Sequence, residues 1–79
     1  MKPSEIKIGH AYANKSGRSI RKVLEISSDI KPKWLGTPGC APDKGIKFEQ
    51  VRVGMTANGN IYEMYLPSFA NWAHHEVQE

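Results

Sequence analysis

Ile46-Lys47-Phe48-Glu49-Gln50-Val51-Arg52-Val53-Gly54-Met55-Thr56-Ala57-Asn58-Gly59-Asn60-Ile61-Tyr62-Glu63-Met64-Tyr65-Leu66 is the stretch that decides the fold. Apolar side chains recur every second residue at both its ends, which is the period of a strand with one buried face. The apolar phase shifts from Ile46 and Phe48 to Val51, Val53 and Met55, so strand 46–55 must bulge or bend around Glu49-Gln50. Asn58-Gly59 is a strong hairpin signal, because a type I′ turn needs positive φ at both central positions. It predicts that strand 61–66 folds back on strand 46–55.

On the carboxyl side, Pro67-Ser68 offers a helix start, with Ser68 able to cap free amides. Phe69, Trp72, Ala73 and Val77 follow at helical spacing and predict a helix over 68–77 that covers the sheet, with His74 and His75 in its last turn. On the amino side, residues 29–45 contain three prolines and three glycines and read as one long loop whose only bulky apolar pair is Trp34-Leu35. Within it, residues 31–44 are the segment expected to be most mobile, since their composition bars a regular ladder.

Further upstream, residues 20–27 read as a strand with Ile20, Leu24 and Ile26 on one face and Arg21, Val23 and Glu25 on the other. Lys22 interrupts the apolar face, which a bulge or an open sheet edge would explain. Residues 6–13 alternate as a first strand, and Asn14-Lys15-Ser16-Gly17 turns the chain into the second. The order β-β-loop-β-β-α predicts a mainly β domain, either a small SH3-like barrel or a strongly coiled antiparallel sheet of four or five strands, with a C-terminal helix. An open sheet with the helix laid across it fits the same order.

Seventy-nine residues suit a single domain over 1–79, because so short a chain cannot fill two cores. One cysteine, Cys40, rules out an internal disulfide and suits a reducing compartment. Met1-Lys2-Pro3-Ser4-Glu5 lacks the apolar run of a secretory leader, and no stretch nears membrane-spanning length, so a cytoplasmic protein without membrane contact is expected. Net charge is +3, unevenly placed. All eleven lysines and arginines lie in residues 1–52 against five acids, leaving +6, whereas residues 53–79 hold only Glu63, Glu76 and Glu79.

Candidate chemistry is sparse. His10, Cys40, His74 and His75 lack the spacing of a tetrahedral metal site, and adjacent histidines on a helix would point about 100° apart. Cys40 has no base fixed beside it by any motif. Gly36-Thr37-Pro38-Gly39 lacks the lysine and the amide that a phosphate cradle uses. No enzyme activity, metal or cofactor is therefore expected. Tyr12, Arg18, Arg21, Lys22, Lys31, Lys33 and Trp34 mix cations with aromatic rings, which suits either contact with phosphates and bases or a solvated face with Tyr12 in the core. Trp34 reads either as an anchor for a partner or as a ring folded back on the domain.

The stretches Ile6-Lys7-Ile8-Gly9-His10-Ala11-Tyr12, Gly17-Arg18, residues 21–26, Phe48-Glu49-Gln50 and Tyr65-Leu66-Pro67-Ser68-Phe69-Ala70-Asn71-Trp72-Ala73 resemble small uncharacterised proteins of tailed bacteriophages and prophages, most closely in Ser-Phe-Ala-x-Trp-Ala at 68–73. That resemblance implies an origin and brings no activity. Gly9, Gly17 and Val23-Leu24-Glu25-Ile26 are also similar to SH3-like modules of transcription and translation factors, which implies a barrel. Together these readings predict a non-enzymatic binding module of phage or prophage origin, a monomer or weak dimer that contacts a host or phage protein. The alternative is a nucleic-acid-binding barrel that uses the basic first two thirds. Arg18, Arg21, Lys22, Lys31, Lys33 and Trp34 are the candidate contact residues.

Overall fold

The computed structural model describes residues 1–37 and 39–77, the side chains of Ala57 and Asn58 aside. Among them, five strands, β1 (Ala11–Ala13), β2 (Ser19–Ser27), β3 (Gly45–Val53), β4 (Thr56–Tyr65) and β5 (His75–Val77), accompany one α-helix, α1 (Leu66–Trp72), and a 3-10 turn at Pro3–Glu5. The strands form one antiparallel sheet in the order β4-β3-β2-β1-β5. Helix α1 carries the chain from one sheet edge, β4, to the other, β5. No ladder joins β4 to β5 among the described residues, so the fold is a mainly β sheet with a packed helix.

The phase change in β3 has a local cause. Between the pairs Ile20↔Arg52 and Arg21↔Gln50, Val51 has no partner on β2 and stands as an extra residue. A second bulge, at Leu24 between Val23↔Phe48 and Glu25↔Lys47, resets β2. The core face of β2 is consequently Arg21, Val23 and Ile26, not the Ile20-Leu24-Ile26 set that strict alternation predicts. Lys22 thus lies on the outer face, in a strand at the centre of the sheet.

The hairpin between β3 and β4 corrects another expectation. Val53 pairs with Thr56, so Gly54-Met55 is the turn, with Gly54 at φ +61° as its first central residue. Asn58-Gly59 lies within β4 opposite Val51, and Gly59 at φ +73° supplies the left-handed residue of a bulge. The first strand is also shorter than the alternation over 6–13 suggests. Gly9 at φ +85° breaks the run, leaving Ile6 buried, Ile8 exposed and only 11–13 in the strand.

Helix α1 begins at Leu66, whose amide donates to the Lys44 carbonyl at 3.0 Å, and Pro67 occupies the first turn where a missing amide costs nothing. Ser68 is therefore inside the helix and is not its cap. The helix ends at Trp72 because the following residues find better partners: Ala73 is extended, the His74 amide donates to Ala13 at 2.8 Å, and 75–77 pair with 11–13. Filling the open edge of β1 outweighs another helical turn of weak helix formers. The predicted helix over 68–77 is thus a shorter helix plus a strand, and neither histidine is helical.

The core gathers between α1 and the sheet: Ile6, Tyr12, Val23, Ile46, Phe48, Phe69, Ala70 and Ala73, flanked by Ile26, Met64, Leu66 and Trp72. Phe69 is 0% exposed, with ring centroids 5.9 Å from Tyr12, 5.6 Å from Phe48 and 5.4 Å from Trp72. The buried Tyr12 hydroxyl accepts the Lys7 amide at 2.8 Å and donates to the Glu5 carbonyl at 3.1 Å, pinning the amino-terminal turn.

Phe69→Ala should cost about 3–5 kcal/mol, comparable with the whole stability of a domain this small, and truncation after Leu66 should abolish cooperative unfolding; urea denaturation followed by fluorescence checks both. Burial raises the Tyr12 pKa above its ordinary value, so the fold favours the protonated phenol. The sign is that this contribution is complete below pH ~10 and is lost as pH rises beyond it. Tyr12→Phe should lower stability at neutral pH yet flatten the loss above pH ~10, read from denaturation midpoints across that range.

Candidate functional site

The six residues picked from the sequence fall in four places. Arg18 is exposed beside the β3–β4 turn, where its carbonyl accepts the Gly54 amide at 2.8 Å. Lys22 is on the outer face opposite Glu49. The same face places Lys47 between Glu25 and Glu63, with Lys47 Nζ 3.9 Å from the Glu25 carboxylate. Cations and acids alternate across the strands there, which weakens any net attraction for phosphates.

Arg21 lies on the opposite, core-facing side. Its guanidinium carbon sits 4.1 Å from the Trp72 ring centroid and 4.9 Å from that of Phe48. One terminal nitrogen reaches the Met64 sulfur at 3.6 Å, while the buried Nε has no hydrogen-bond acceptor among the described residues. Burial pushes the guanidinium pKa below its ordinary value. Sequence reading counted Arg21 as one surface cation among several; its stacked, desolvated setting required the β2 bulge and α1.

Lys31, Lys33 and Trp34 remain together in the loop between β2 and β3, and Lys31 and Lys33 are exposed. Residues 31–44 form no ladder where they are described, as their prolines and glycines predict; Pro38 lies outside the described residues. The loop is nevertheless held at two points. Ile30 is buried against Gly45, where a Cβ would overlap the Ile30 carbonyl oxygen. Trp34 folds onto Gly36, donates from its indole nitrogen to the Thr37 carbonyl at 2.9 Å, and meets Tyr65 edge-on at 5.6 Å. It keeps 37% of its surface exposed, so it is both a folded-back ring and an accessible one.

Beside it opens a cleft of about 320 Å³, with Pro32, Lys33 and Trp34 on one wall and Glu63, Tyr65 and Ser68 on the other. This cleft lies along β4, which stands at the edge of the sheet and pairs with β3 as its one neighbouring strand among the described residues. Large apolar side chains are exposed on this side of the fold: Leu35 of the loop is 84% exposed, and Ile61 and Tyr62, on opposite faces of β4, are 59% and 44% exposed. Sequence reading assigned 61–66 to a paired strand and missed these residues, because edge position is a property of strand order. The exposed Trp34-Leu35 pair was the available signal.

The four metal-type side chains do not converge into a group of three or more with Asp or Glu among the described residues. His74 and His75 depart from the helical expectation: released from α1, their rings meet edge-on with Nδ1 atoms 3.2 Å apart. His10 Nδ1 lies 2.7 Å from the Glu76 carboxylate, tying the start of β1 to β5. Cys40 is exposed and free. Among the described residues no helix is long and apolar enough to cross a membrane.

Gly45→Ala should cost about 1–3 kcal/mol and detach the loop, seen as a lower denaturation midpoint together with faster amide exchange at Ile30 and a red-shifted, more quenchable tryptophan emission. Comparison with protein-family models, with curated proteins and with solved structures finds no match to this chain.

Proposed function

We propose that the chain is a non-enzymatic binding module of phage or prophage origin that holds an extended segment of a host or phage protein along the edge of β4. The observation that supports this most is that β4, at the edge of the sheet among the described residues, carries exposed Ile61 and Tyr62 and lies beside the cleft lined by Trp34 and Leu35. An edge strand offers a row of backbone donors and acceptors that only another backbone matches repeatedly, and folded proteins normally blunt such edges with lysines or prolines. Residues 56–65 contain neither. Adjacent apolar side chains would supply the pockets that select alternate residues of the added strand. The phage-like Ser-Phe-Ala-x-Trp-Ala segment, residues 68–73, supports the origin; as α1 it builds the core and leaves β4 free.

A nucleic-acid partner draws less support from this arrangement, because Arg18, Arg21 and Lys22 face three directions and the outer face alternates in sign. Selection from a displayed random-peptide library should yield extended, apolar peptides. Trp34→Ala and Ile61→Lys should each weaken them by about tenfold or more, whereas Lys47→Ala on the outer face should not. Failure to select any peptide, or peptides indifferent to both variants, would overturn the edge reading. Duplex binding at ~50 mM salt that weakens with a log-log slope of about 0.9 per phosphate would instead favour the nucleic-acid alternative. Concentration-dependent dimerisation abolished by Ile61→Lys would identify the added strand as a second copy.

A further inference from the structure

We infer that Arg21 is a receptor for a carboxylate, held open between the sheet and α1 by Trp72 and Phe48. Its guanidinium carbon lies over both rings, 4.1 Å from the Trp72 centroid and 4.9 Å from that of Phe48, contacts that hold the charge in place without using its N–H donors. Those donors are poorly used: one meets the Met64 thioether at 3.6 Å, a weak acceptor, and the buried Nε meets no acceptor among the described residues. The ion pairs among the described residues are His10–Glu76 and Lys47–Glu25, and neither includes Arg21.

A guanidinium in such a setting carries a desolvation cost that stacking offsets only in part, and methionine or leucine would fill the same volume without it. The charge gains a use when an anion enters in plane at the terminal nitrogens. The planar fork of its donors favours the paired hydrogen bonds that a flat carboxylate makes with arginine. A phosphate, tetrahedral and more highly charged, is ordinarily met by several cations, and the neighbours of this guanidinium are aromatic rings and a thioether.

Met64 links this receptor to the β4 cleft, since it lines that cleft and touches Arg21. An Asp, Glu or terminal carboxylate of the bound polypeptide is the natural carrier, and the inference rests on the edge reading for that carrier alone. The receptor itself is tested on the full chain with acetate. Titration of 15N-labelled protein at constant ionic strength should move the Arg21 Nε–H and Trp72 indole signals saturably with sodium acetate, with half-saturation on the order of 10–100 mM, and not with sodium chloride. Arg21→Met should abolish the Trp72 response, Arg21→Lys should weaken it about tenfold, and Trp34→Ala should leave it intact, which separates the receptor from the edge. Identical responses to acetate and chloride in the wild type would overturn the proposal without recourse to any variant. So would persistence of the response in Arg21→Met, or tighter binding of inorganic phosphate than of acetate.

Discussion

The contact of Phe69 with Tyr12, Phe48 and Trp72 is the interaction on which the rest of the structure depends. A sheet in which β1 and the edge strand β5 are only three residues long cannot bury both its faces by itself, and a seven-residue helix is not stable in isolation. Phe69 resolves both deficits by placing one ring among three others, each at an edge-on or tilted angle that suits aromatic quadrupoles. Tyr12 brings the amino-terminal turn to the same point through its two hydrogen bonds. The core is in effect one aromatic cluster with aliphatic flanks.

That economy has a consequence for the surface. Helix α1 is short, and it must deliver the chain to β1, so it crosses the sheet and does not run along β4. β4 is therefore left as an uncovered edge, and the loop between β2 and β3 comes to lie beside it because Gly45 admits Ile30 at van der Waals contact. The loop's Trp34 thus meets Tyr65 of β4, and the cleft opens between them, for reasons that begin in the core.

Arg21 shows the same linkage from the other side. The bulge at Leu24 lets Arg21 and Val23 share the core face with Ile26, and α1 then lays Trp72 over the guanidinium. A cation beneath a helix is costly unless its donors are used, and contacts with rings use none of them. The outer face of β2 and β3, by contrast, neutralises its own charges across the ladder.

Much of the fold was legible in local sequence. Alternation marked three of the strands, the phase shift announced the β3 bulge within a residue or two of Val51, and the Pro/Gly run marked the long loop, since each is dictated by side-chain period or by backbone conformations that few residues adopt. The helix at Phe69 and Trp72 was legible for the same reason. What sequence alone could not decide was competition between sites far apart in the chain. Asn58-Gly59 is a good turn, but Gly54-Met55 turns first because the ladder from Gly45 fixes the register, and the dipeptide is absorbed as a bulge. His75, Glu76 and Val77 suit a helix until β1 offers unpaired backbone groups. Likewise Lys33 and Trp34, Arg21, and Arg18 look alike as basic-aromatic neighbours in one dimension, and only the strand order separates them into a cleft, a stacked slot and a solvated turn. Local propensities are worth tenths of a kcal/mol to about one per residue, whereas pairing an edge or burying a ring is worth several, so the tertiary structure decides wherever the two conflict.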